Sequence, residues 1–71
     1  MSDTKPTGTR DPNYDLILVL QQALEDCTRY QHFSDDSRRA GDDELADFFD
    51  ELAESDRDIA ERAKRMLAAR L

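Results

Sequence analysis

The sequence predicts an all-α fold, an antiparallel hairpin of two long helices, and three observations carry that expectation. No alternation of β-branched residues appears anywhere in the 71 residues, no proline follows Pro12, and Gly41 is the only glycine beyond Gly8. Uninterrupted helical periodicity on both sides of one short break makes the two segments antiparallel neighbours. The length allows one small domain, and a chain this short buries a modest fraction of its surface and usually needs a staple, a metal or a partner subunit. The single cysteine, Cys27, rules out an intrachain disulfide as that staple.

Residues 1 to 11 read as a flexible tail, polar and carrying Lys5-Pro6-Thr7-Gly8-Thr9. The first helix is expected from about residue 12 to about residue 40. Asp11 is a favoured N-cap, and Pro12 suits the first helical position, where its missing N–H would be unpaired anyway. Gly41 stands where a helix ends in a left-handed residue, and Asp42 or Asp43 can cap the next helix immediately. The second helix is then expected over about 43 to 70.

Charge supports the second helix. Residues 42 to 58 hold nine acids with Arg57 as the sole base, whereas residues 59 to 71 hold Arg62, Lys64, Arg65 and Arg70 against Glu61. Acids at the start and bases at the end complement the helix dipole. The spacing also predicts i,i+4 pairs Arg57–Glu61, Asp58–Arg62 and Glu61–Arg65 on a solvated face. The net charge of −7 argues against nucleic acid and against anionic membranes. The longest aliphatic run, Leu16 to Leu20, is far too short to span a bilayer, and the polar start resembles no signal peptide. A cytoplasmic protein is the expectation.

The apolar pattern predicts more than a hairpin. Alternating steps of four and three give Leu16, Leu20, Ala23, Cys27, Tyr30 and Ser34 on the first helix, flanked by Ile17, Leu24 and Phe33. On the second they give Leu45, Phe49, Leu52, Asp56, Ile59, Ala63 and Met66, widened by Phe48 and Leu67. Two helices side by side cannot cover stripes this broad, so the hairpin is expected to form a homodimeric four-helix bundle. Leu16, Leu20, Leu24, Phe49, Leu52, Ile59 and Met66 are the expected dimer core.

Asp56 is the odd member of its stripe. A buried carboxylate needs a donor, a metal, water or a proton. The turn places residues equally distant from Gly41 side by side, so Asp56 lies at the level of Asp26 and Cys27, with Tyr30 one turn away as the expected donor. Asp56, Tyr30 and Cys27 are the expected buried polar groups. His32 shares its face with Glu25, Arg29 and Asp36, which makes it exposed, with Asp36 as its i,i+4 neighbour. Cys27 reads as a small buried hydrophobe.

The run RYQHFSDDSRRAGDDELADFFDELAESDRDIAERAKRML, residues 29 to 67, resembles the ferritin-like superfamily, rubrerythrin-type domains in particular. The shared features are the Arg-Tyr start, the turn at Gly41, the ELADFF opening of the second helix and the charged run ending in AKRML. The resemblance covers one hairpin, half of the usual four-helix domain. It implies a di-iron or di-manganese centre built from inward carboxylates and Glu-x-x-His pairs. That pair falls on Asp56-Arg57-Asp58-Ile59, so isoleucine replaces the histidine, and the first-helix glutamate falls at Ala23. One ligand of three per hairpin survives.

No nucleophile–base pair, phosphate loop or cysteine–histidine cluster is present. The first functional reading is a non-catalytic structural or protein-interaction module without cofactor, its acidic face meeting a protein partner. The alternative is a metal-binding protein with oxidase, peroxide-scavenging or iron-handling chemistry. Two copies of Asp56, assisted by Glu54 or Tyr30, would then hold iron or manganese at the dimer interface.

Overall fold

The computed structural model describes residues 11–71; the tail expected over residues 1 to 11 lies, apart from Asp11, outside the described residues. The architecture is two helices packed against each other, α1 (Pro12–Arg39) and α2 (Asp43–Arg70), each of 28 residues. At 1.5 Å rise per residue each is about 42 Å long.

Local chemistry sets every boundary. The Asp11 carboxylate accepts from the Asn13 N–H at 3.0 Å, and Pro12 opens α1. At the other end Gly41 takes φ 81°, the Asp42 N–H donates to the Ser37 carbonyl at 2.9 Å, and the Gly41 N–H donates to the Arg38 carbonyl at 3.0 Å. This pair of bonds is a Schellman closure. Asp42 then starts α2 at once, its carboxylate accepting from the Leu45 N–H at 3.1 Å. One glycine and one aspartate therefore reverse the chain.

The helices meet along a seam with a seven-residue repeat. On α1 it runs through Leu16, Leu20, Ala23, Cys27, Tyr30, Ser34 and Ser37, of which Ala23, Ser34 and Ser37 are buried and the others half-buried. On α2 the buried residues are Ala46, Ala53, Ala60, Ala63 and Leu67, with Phe49 and Asp56 half-buried between them. The stripe expected on α2 differs from this seam by one residue at every other position. Leu45, Leu52, Ile59 and Met66 were expected inside, and Ala46, Ala53, Ala60 and Leu67 occupy those places. The reason is steric: alanine and serine let the two helices approach closely, and the larger side chains are displaced to the edge of the seam.

The consequence is a hairpin with a thin core. Among the described residues no large side chain is fully buried, while Tyr14, Ile17, Leu18, Val19, Leu24, Phe33, Leu45, Phe48, Ile59 and Met66 are each more than a third exposed. Alanine burial removes little apolar area, so the seam defines the pairing without supplying the burial that normally stabilises a domain. No helix among the described residues is long and apolar enough to cross a membrane.

Candidate functional site

The two edges of the seam differ in chemistry. One is polar and tied by ion pairs. Arg38 of α1 reaches across to Asp50, to Asp47 at 3.2 Å and to Asp43 at 3.8 Å. The buried Ser34 hydroxyl beside the Asp50 carboxylate, together with Arg38, holds that carboxylate below its usual range. In return, Asp50 and Asp47 raise the Arg38 guanidinium above its ordinary value. Further along, Arg57 donates to the Cys27 sulfur at 3.6 Å and pairs with Glu54 at 2.7 Å. At the open end the Arg70 Nε donates to the Asn13 Oδ1 at 2.9 Å.

The other edge is apolar. Heptad geometry places Val19, Asp26 and Phe33 of α1 on the same side as Leu45, Leu52, Ile59 and Met66 of α2. At the turn end it is aromatic: Phe33 meets Phe49 edge-on with centroids 5.3 Å apart, and Phe48 tilts against Phe49 at 5.8 Å. At the open end Leu16, Val19, Ile59, Arg62, Ala63 and Met66 surround a hollow of about 120 Å³.

Compared with known proteins, this chain matches no family model, no curated protein and no solved structure. The ferritin-like resemblance therefore rests on the quoted residues alone.

The residues expected to form a site are placed as follows. Asp56, Tyr30 and Cys27 are half-buried in the isolated chain, whereas the buried polar side chains are Ser34 and Ser37. The burial expected of Asp56, Tyr30 and Cys27 was that of a four-helix bundle, and one hairpin by itself leaves all three half-buried. Tyr30 packs edge-on against Phe33 at 6.0 Å, and no hydrogen bond joins it to Asp56 among the described residues. No buried side-chain oxygen or nitrogen there lacks a partner, so the Asp56 carboxylate keeps access to water. Glu54 is exposed and pairs with Arg57 at 2.7 Å. No group of three or more potential ligands converges among the described residues. With Ile59 and Ala23 at the positions of a histidine and a glutamate, the donor set of one hairpin does not fit a dinuclear centre.

Of the expected dimer core, Leu16, Leu20, Phe49 and Leu52 are half-buried, and Leu24, Ile59 and Met66 are exposed. Leu24 shares its row with Arg38 and so lies on the polar edge, away from Ile59 and Met66. His32 is exposed, and Asp36 pairs with Arg39 at 2.6 Å. The i,i+4 pairs expected on α2 give way to i,i+3 pairs, Arg57–Glu54 and Lys64–Glu61. Arg57 has an acid on either side and takes the N-terminal one, the order that the helix dipole favours. Val19 and Arg62 were not expected at a site. Their signal was the seven-residue spacing: Val19 precedes Phe33 by two heptads, and Arg62 follows Phe48 by two.

Proposed function

We propose that the hairpin pairs with a second copy through its apolar edge, forming a four-helix bundle of the ferritin-like kind. The bundle acts as a non-catalytic structural or protein-interaction module. One observation carries this reading: Val19, Phe33, Leu45, Phe48, Ile59 and Met66 are exposed along one edge, while the fully buried residues of the seam beneath are, apart from Leu67, alanine and serine. Monomeric proteins seldom expose this many large apolar side chains along one edge. A face about 42 Å long and two helices wide offers on the order of 800 Å² per partner, the size of a standard protein interface.

A second copy is the occupant because both hairpins present the same chemistry and neither has another source of a core. The outer rows Glu44, Glu51, Asp58 and Asp47, Glu54, Glu61 stay at the surface and are acidic. They suit a basic partner protein. Sedimentation equilibrium tests the assembly: twice 8.2 kDa is expected, and a monomer at millimolar concentration would falsify the reading. Titration with a lysine-rich peptide tests the acidic face, where binding weakened by salt is expected.

A further inference from the structure

We infer that the two copies pair head to tail, the aromatic turn end of one seated in the hollow at the open end of the other. This deepens the proposed dimer and rests on it. The apolar edge is uneven. Phe33, Phe48 and Phe49 cluster near the turn, with Leu45 and Leu52 on the same edge. The opposite end is hollowed by about 120 Å³ between Val19 on α1 and Ile59, Arg62 and Met66 on α2. An apolar cavity of about 150 Å³ takes a benzene molecule, so the hollow is of the scale of one aromatic ring.

Two copies facing each other with their turns at the same end would set aromatic bulk against aromatic bulk and hollow against hollow. Interiors are close-packed, and that arrangement leaves them overfilled at one end and empty at the other. Head-to-tail pairing matches each bulge to a depression.

The sequence positions agree on where the two-fold axis falls. Phe33 and Val19 lie equally far from Asp26. On α2, Leu45 and Met66, and likewise Leu52 and Ile59, lie equally far from the midpoint between Ser55 and Asp56. Asp26 and Asp56 stand at the same distance from Gly41, so both helices give the same level for the axis. Each phenylalanine end then meets Val19, Ile59 and Met66 of the other copy. Arg62 at the rim comes over the partner copy's exposed Phe48 ring, a cation–π arrangement. Asp26, held by Arg29 and Gln22 of its own helix, falls at the centre with Ser55 and Asp56, so this layer stays hydrated and the apolar contacts lie on either side of it.

The test uses the full chain with Cys27→Ser and a nitroxide at Ala40→Cys, an exposed site beside the turn, read by pulsed dipolar spectroscopy. Head-to-tail pairing separates the two labels by roughly 42 Å along the bundle, from the rise per residue. A short distance, about 25 Å or less, in a protein that sediments as a dimer overturns the inference and leaves the dimer standing. A monomer overturns both. Phe48→Ala, checked for helicity by circular dichroism, is expected to weaken dimerisation at least tenfold, while Tyr14→Ala leaves it within twofold. Unchanged affinity in Phe48→Ala overturns the seat assigned to the aromatic end.

Discussion

At the scale of single residues, the turn and the polar edge depend on a few side chains whose removal has calculable effects. Gly41 holds φ 81°, and a methyl group there would meet nothing within 4 Å. The cost of Gly41→Ala is therefore conformational alone, about 1–2 kcal/mol for a left-handed L-residue, and urea unfolding should show it without a change in helicity. Asp50 behaves differently because it titrates. Its carboxyl lies below its ordinary value when folded, chiefly through the Ser34 hydroxyl and then through Arg38. A depressed folded pKa stabilises above the unfolded value, and that stability is lost as pH falls through the folded value. Thermal midpoints should decline from about pH 5 downward, and Asp50→Asn should flatten the decline while lowering the midpoint at neutral pH. An Asp50→Asn profile parallel to that of the parent would remove the Ser34 hydroxyl from the account.

At the scale of the element, the seam is where sequence and structure diverge most usefully. The caps were legible because Asp11-Pro12 and Gly41-Asp42 state their backbone chemistry locally. So was the α1 side of the seam, where apolar and small residues alternate by four and three. The α2 side was legible only by half. Phe49, Asp56 and Ala63 were placed on it and Leu67 beside it, but the places of Ala46, Ala53 and Ala60 went to Leu45, Leu52 and Ile59, because hydrophobicity favours bulk over alanine. The seven-residue run Ala46, Ala53, Ala60, Leu67 was present in the sequence, and close approach of helices, which no single stripe reveals, is what selects it. This yields a sharp expectation for a conservative-looking change. Ala53→Leu adds an apolar group to an apolar place, yet it should destabilise the hairpin by about 1–3 kcal/mol through overpacking. Leu52→Ala, one position away, removes bulk from the edge and should leave the pairing of α1 with α2 intact. Chemical denaturation of both variants, with helicity as the check, distinguishes a tight seam from a loose one.

At the scale of the whole molecule, the proposed bundle makes stability and association one quantity. The fully buried residues of the seam are, apart from Leu67, alanine and serine, so in that bundle the second copy supplies most of the apolar burial. The unfolding midpoint should then rise with protein concentration, because a partner that binds only the folded chain stabilises it by mass action. It should also rise with moderate salt, since each chain carries −7 and two such chains repel. Ile59 decides between a surface and an interface. In the isolated hairpin its side chain is 42% exposed, and Ile59→Ala there would change stability by no more than about 0.5 kcal/mol. Buried between two copies, the same truncation should cost about 2 kcal/mol or more per chain, because it leaves a cavity as well as losing transfer energy. The measurement is the thermal midpoint of parent and Ile59→Ala over a hundredfold range of concentration. A large loss in Ile59→Ala, with the midpoint of the parent climbing as concentration rises, fits the bundle. A small loss with flat midpoints in both would mean that the hairpin folds alone and carries its apolar edge for some other occupant.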